Sequence, residues 1–406
     1  MSGKLRDIGA LGRRFFVYGV SLHRHVGSAE LRYTTTFNDF PNTLSHKYIT
    51  FHIQISYRQS NIMSSKPIVL VTGATGYIAG WVVKYFLDAG YSVRGTSRSK
   101  TSAQPLINTL VSQGYSASDI EIYEIADITV PGAFDEAVKD VQVITHLASP
   151  VSLSFSDPDP VIRTAVEGSI SVLRSAKAHG NNLKTFVNMS SVVSIIDPSF
   201  KDKVFTEADW NNFAYPTTQK LGTSTPGFVI YMASKVEAER AVWKFRDEEK
   251  PSFNVVSINP AWVSGPPLVI PKDKSKIGET TKTIFDILAN EKEPYPLGAL
   301  PTYVHVYDVA RLFVWAAENG DKANGERYLA LAGRSGVQAI RDILTKAYPE
   351  RNIDPGQPGE GYSPDWTFLP GENSFDVTKA VKATGQDWIK LNQMVLDTAK
   401  AYESLL

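Results

Sequence analysis

Residues 69–80 read VLVTGATGYIAG. A short apolar run suited to a buried strand meets Gly73 and Gly76, and a helix-compatible run follows them. The first turn of a helix exposes unpaired backbone N–H groups at the positive end of its dipole, a setting that suits a phosphate. Gly73 lets the chain leave the strand sharply, and Gly76, having no Cβ, lets a pyrophosphate come close to those amides. Ala79 is small enough for the helix to pack on the strand. The spacing is G-x-x-G-x-x-A rather than G-x-G-x-x-G, and a glycine turn can serve the turn alone. Its position after the first strand of an alternating pattern favours a dinucleotide site.

That pattern runs on from Pro67. PIVLVT, YSVRGTS, IEIYEIAD, VQVITHLAS, LKTFVNMSS and FNVVSINP read as strands, with helices such as YIAGWVVKYFLDAG, AVEGSISVLRSAKAHG and VIYMASKVEAERAVWKF between them. Short strands alternating with helices predict an α/β fold, a Rossmann-type doubly wound parallel sheet. After Pro260 the texture changes, with prolines crowding PAWVSGPPLVIP and PGQPGEGYSPDW. The expected plan is a cofactor domain over 66–260 and a smaller C-terminal substrate-binding lobe over 261–406, some of whose segments return to the core. The loop-rich insertion 192–228 should join that lobe above the carboxyl edge of the sheet, where ligands bind in open α/β sheets.

The chain has 406 residues, 42 basic and 42 acidic side chains, and no cysteine. The balance gives no global pull toward nucleic acid or an anionic membrane, and the missing thiols exclude disulfides and cysteine nucleophiles. No metal site is expected, and no apolar run reaches the roughly eighteen residues of a membrane span. Residues 1–62 hold only Asp7, Glu30 and Asp39 as acids, with RRFFVYGVSLHRH among them. They read as a basic presequence, a disordered extension or an over-long gene model, with Met63 as a natural start. No regular amphipathic period supports the presequence, and no function is expected of the segment. The C-terminal AYESLL carries no address signal, which leaves the cytoplasm as the default, and the sequence leaves monomer and homodimer both open.

Charge selects the cofactor. Between Asp88 and Asp119 there is no acid, while Arg94, Arg98 and Lys100 surround the end of the second strand. An NAD site wants a carboxylate there for the ribose, and an NADP site wants an arginine for the 2′-phosphate. Arg98 is best placed for this, so NADP(H) is expected. Asp127 and Ile128, after the third strand, suit an adenine contact or a turn cap.

In YMASK, Tyr231 and Lys235 stand four apart, on one face of a helix. A phenol is a poor acid at neutral pH unless a nearby cation stabilises its anion, and Lys235 is expected to supply that cation. Ser191, ending NMSS, is placed to donate a hydrogen bond to a substrate oxygen beside the tyrosine.

TGATGYIAG, HLASP, NMSS, YMASK, NPAWVSGP and HVYDVA, in that order from about Lys66 onward, resemble the extended short-chain dehydrogenase/reductases. They are most similar to the dihydroflavonol-reductase-like branch with its fungal aldehyde and ketone reductases. The resemblance implies Ser191, Tyr231 and Lys235 as the catalytic set, acting on a carbonyl with NADPH. It implies a pyrophosphate turn of Gly73, Ala74, Thr75, Gly76, Tyr77 and Ile78, with Arg98 on the 2′-phosphate and Asp127 and Ile128 on the adenine. Ala148 and Ser149 would flank the nicotinamide, with Pro260 and Val263 near its carboxamide. Phe155, Tyr215, Phe228, Trp262 and Tyr303 are candidates for an apolar substrate wall, each with an ordinary core aromatic as the competing explanation. An epimerase or dehydratase, a hydroxysteroid-type dehydrogenase and a non-enzymatic NADP(H) sensor are the alternatives.

Overall fold

Val69, Leu70 and Val71 are fully buried at the centre of the sheet that organises the chain. The computed structural model describes residues 17–25, 28–35, 49–53, 66–152, 154–291 and 302–406. Strands β1 (Ile68–Thr72), β2 (Ser92–Ser97), β3 (Ile120–Glu124), β4 (Val143–His146), β5 (Thr185–Met189), β6 (Asn254–Pro260) and β7 (Arg327–Ala330) build one parallel sheet in the order β7-β6-β5-β4-β1-β2-β3. All neighbours pair in parallel, as a sheet with helical crossovers requires.

The helices are α1 (Tyr77–Asp88), α2 (Lys100–Ser112), α3 (Pro158–His179), α4 (Ala214–Leu221), α5 (Gly227–Glu249), α6 (Glu279–Leu288), α7 (Val306–Glu318), α8 (Gly320–Ala323), α9 (Val337–Ala347), α10 (Thr378–Thr384) and α11 (Leu391–Tyr402). Because successive strand residues point to opposite faces, β1 sends Val69 and Val71 one way and Leu70 the other. The first pair packs with Val82 and Phe86 of α1 and Val309 and Phe313 of α7. Leu70 packs with Val172 and Leu173 of α3 and Val242 and Phe245 of α5. A third cluster joins α6, α9 and α11 through Ile284, Ile340, Leu344, Leu391 and Val395.

Strand order reverses between β1 and β4, so their carboxyl ends open a crevice at the switch point. The six strands expected from the sequence are present, and β7 adds a seventh at the edge from within the C-terminal part. The third strand ends at Glu124, short of Asp127. Two small parallel pairings tie the later segments together: Val204–Phe205 to Ser374–Phe375, and Val263–Ser264 to Val304–His305. Residues 1–65 are a unit of their own, in which Val17–His25, Ser28–Thr35 and Ile49–Ile53 pair as an antiparallel sheet that the sequence reading did not anticipate. No helix among the described residues is long and apolar enough to cross a bilayer.

Candidate active site

Gly73 leaves β1 with φ +65°, a left-handed conformation natural to glycine. A Cβ there would lie 3.1 Å from the Cα of Ala148, so β1 and the segment after β4 meet backbone to backbone. The turn is held by Gly73 N–H to Thr96 Oγ1 (3.1 Å), Ala74 N–H to Thr96 O (2.9 Å) and Gly76 N–H to Gly73 O (2.9 Å). A third glycine serves it from β2: a Cβ on Gly95 would lie 2.8 Å from the Ala74 methyl. Gly76 is the N-cap of α1 and offers no side chain to its first amides. A cleft enclosing about 640 Å³, part of it open to solvent, runs between residues 74–77 and Leu268 and Lys276 opposite. Free amides, a helix N-terminus and a lysine make this wall fit an anionic dinucleotide. The Tyr77 side chain turns aside to donate to Gly265 O (2.8 Å), and burial pushes its phenol well up. Ile78 packs partly buried against the core.

Arg98 is exposed beyond β2 and has no partner among the described residues, whereas Arg94 is spent on structure. Arg94 donates to Ala137 O (2.9 Å), Lys139 O (2.7 Å) and Glu121 (3.2 Å). Asp127 is exposed and accepts from the Thr129 amide (2.8 Å) and hydroxyl (2.7 Å), which hold its carboxyl below the usual range. One of its oxygens therefore does cap a turn. Ile128 leans on α3, where a Cβ on Gly168 would lie 2.5 Å from its Cδ1.

On α5, Tyr231 and Lys235 are one turn apart, with Lys235 Nζ 5.9 Å from the centre of the tyrosine ring. Ser191 follows β5 and caps a short turn by accepting from Val193 N–H (3.3 Å); its hydroxyl also hydrogen-bonds Tyr231. Lys235 is almost fully buried, which lowers its pKa to about 8. Burial raises the Tyr231 pKa, the Ser191 hydrogen bond lowers it in part, and the charge of Glu279 raises it further. The expectation that Lys235 makes this phenol acidic is therefore corrected for the protein by itself. The reason is that enclosure disfavours phenolate more than the Ser191 hydrogen bond favours it.

Behind Lys235 lies a polar interior that the motifs did not reveal. Thr72 Oγ1 accepts from the amides of Leu147 and Ala148 (3.0 Å each), so its own proton goes to His146 Nδ1 (3.0 Å). The Ser169 hydroxyl donates to Ala165 O (2.9 Å) and so accepts from His146 Nε2 (3.3 Å). These partners hold His146 neutral with its proton on Nε2, and burial, with the nearby Lys235 charge, drives its pKa to about 3. Glu239, one turn beyond Lys235, is buried against Arg327 of β7, with Nε to Oε1 at 2.7 Å. HLASP contained His146 as a motif letter only, and nothing local in the sequence pairs Glu239 with Arg327.

Residues 69–330 match the model of the NAD dependent epimerase/dehydratase family. The chain belongs to that family. A ketoreductase of Aspergillus niger is 32% identical over 336 residues, 81% of this chain and 95% of its own. The structure of Gre2 from Candida albicans in complex with NADPH superposes with a TM-score of 0.72 at 30% identity, covering 84% of this chain and 99% of that one. Yeast methylglyoxal/isovaleraldehyde reductase Gre2, complexed with NADPH, gives 0.72 at 25% identity over 84% of this chain and all of its own. The resemblance read from the motifs and the Rossmann-type fold are both borne out.

In this family member the aromatic candidates separate. Phe228 is exposed and its ring stacks on Tyr231 at 6.4 Å, at the mouth of the site. Tyr215, on α4, and Phe155, between β4 and α3, are half-buried. Trp262 donates to Thr280 O (2.9 Å) and packs against the third core cluster. Tyr303 is only 1% exposed within that same cluster, so it is a core residue rather than a wall. Pro260 ends β6 and Val263 pairs with Val304, both buried beside the Ser191 strand end.

Proposed function

We propose that this oxidoreductase reduces an aldehyde or ketone to the alcohol with NADPH, Ser191, Tyr231 and Lys235 being the catalytic residues. The observation that carries the reading is the convergence of those three side chains beside the crevice that begins at the Gly73 turn. The turn of residues 73–78 would hold the pyrophosphate through the amides of Thr75, Tyr77 and Ile78, which the turn does not use itself, and Arg98 would hold the 2′-phosphate. Asp127 and Ile128 would border the adenine, Ala148 and Ser149 the nicotinamide, and Pro260 and Val263 its carboxamide. NADPH, when bound, supplies the hydride for the carbonyl carbon.

The protein's part is the proton and the oxygen. Because enclosure raises its pKa, Tyr231 stays a neutral phenol at working pH, the form that has a proton to give. Ser191 steadies the carbonyl oxygen by a hydrogen bond, Tyr231 protonates it as charge develops there, and Lys235 balances the phenolate left behind. Phe228, Phe155, Tyr215 and Trp262 offer the substrate an apolar surround. The exposed Phe228 ring favours carbonyl compounds with a hydrophobic substituent.

The test is NADPH absorbance decay with a panel of aldehydes and ketones; binding of NADPH without decay on any of them would favour a sensor. Arg98→Ala should raise KM for NADPH by about 10- to 100-fold, the worth of hydrogen bonds to a charged group, and leave KM for NADH unchanged. Equal losses for both cofactors would remove Arg98 from the 2′-phosphate.

A pH dependence follows from Lys235. Its pKa of about 8, down from 10.5, means the ammonium is present at neutral pH and is lost as pH rises through 8. With the charged form required, kcat/KM for NADPH, which reports the free enzyme, should decline on the alkaline side from about pH 8. A profile flat to pH 10 would contradict a required ammonium.

A further inference from the structure

We propose that Glu239, together with Arg327, is a positioning residue that sets Ser191 against Tyr231 and Lys235; this rests on the reading of those three as the catalytic set. Glu239 continues the spacing of Tyr231 and Lys235 along α5, and its side chain has no exposure. Oε1 accepts from Arg327 Nε (2.7 Å) and Trp243 Nε1 (3.2 Å). Oε2 accepts from the second Arg327 nitrogen (3.1 Å), Asn259 Nδ2 (2.8 Å) and Ser190 Oγ (2.5 Å).

Two of these contacts grip the end of β5. Ser190 is held directly, and Asn259 Nδ2 donates at the same time to Ser191 O (3.2 Å). The amide orientation of Asn259 is unambiguous, because both partners of its nitrogen are acceptors. One carboxylate oxygen on α5 thus holds the Ser190 hydroxyl directly and the Ser191 carbonyl through Asn259, while α5 itself carries Tyr231 and Lys235. Arg327 is anchored in turn by Glu207 O (2.9 Å) and Asp209 O (2.6 Å), with its guanidinium 3.9 Å from the Trp210 ring centre. Burial alone would raise the Glu239 carboxyl, but Arg327, Ser190 and Asn259 hold it below the usual range, so it stays an anion and a full acceptor.

Glu239→Ala by itself would leave Arg327 buried without its counter-charge, and loss of folding would be the expected result. Two other variants decide the question. Asn259→Ala keeps the ion pair and cuts the strut to Ser191. The Glu239→Met/Arg327→Met double variant removes both charges while keeping side-chain bulk. Each is titrated with NADPH by fluorescence, and turnover is expressed per NADPH-binding site. Misplacement by about an ångström costs on the order of 100-fold in rate, so kcat should fall by about 10-fold in Asn259→Ala and about 100-fold in the double variant. The NADPH Kd should stay within about threefold, and the kinetic isotope effect with 4-deuterated NADPH should rise as hydride transfer becomes slower. Wild-type kcat per site in Asn259→Ala overturns the proposal, whether or not the double variant folds. If Tyr231→Phe retained turnover, the catalytic reading itself would fall. Loss in Tyr231→Phe with none in these variants would leave that reading standing and sink only the positioning role.

Discussion

Tyr231→Phe should lower kcat by about 100- to 10,000-fold, the usual contribution of a placed general acid, and leave NADPH binding within about twofold. The substitution removes one oxygen and keeps the ring, so its stacking with Phe228 and its packing on the core survive. It removes the hydroxyl that meets Ser191 and, in the proposed mechanism, the proton meant for the carbonyl oxygen. Steady-state NADPH oxidation and a fluorescence titration of NADPH, run on the same preparation, separate the two effects. Normal turnover by the variant would dismiss Tyr231 as the acid and with it the carbonyl-reductase mechanism.

Gly73→Val should abolish measurable NADPH binding. The position has φ +65°, which a β-branched residue adopts only with strain, and its Cβ would stand 3.1 Å from the Ala148 backbone. Neither side of the contact is a flexible chain end, so the turn and the segment after β4 must part. That opens the crevice at the switch point and misdirects the unused amides of Thr75 and Tyr77. Calorimetry with NADPH should show no heat at concentrations that saturate the wild type, and thermal melting should fall by several degrees. A variant that bound NADPH with wild-type affinity would show that the dinucleotide does not rest on this turn.

How much of this could be read beforehand depended on the range of the interaction. The six strands were legible because buried parallel strands are short apolar runs between helices. β7 was not, since RYLA is only four residues long and opens on an arginine, which reads as a surface residue although the fold buries it. Tyr231 and Lys235 announce themselves by helical spacing, and Arg98 by the absence of any acid near it. The Glu239–Arg327 contact joins residues 88 apart, and only packing brings them together. Aromatic letters do not say which side of a wall they face, which is why Phe228 came out at the mouth and Tyr303 in the core. The sign of the Tyr231 shift depended on enclosure, a property of the fold and not of its neighbour four residues along.

The position of Arg327 on the last strand of the sheet bears on how the molecule is made. A nascent chain that has emerged only as far as β6 holds every proposed catalytic side chain, yet Glu239 has no counter-charge to bury beside. Until the ribosome releases the segment around residue 327, helix α5 cannot seat that carboxylate at low cost, and the tyrosine and lysine it carries have no settled place. On the proposed reading, the side chains that α5 carries gain their settled place only when the edge strand docks.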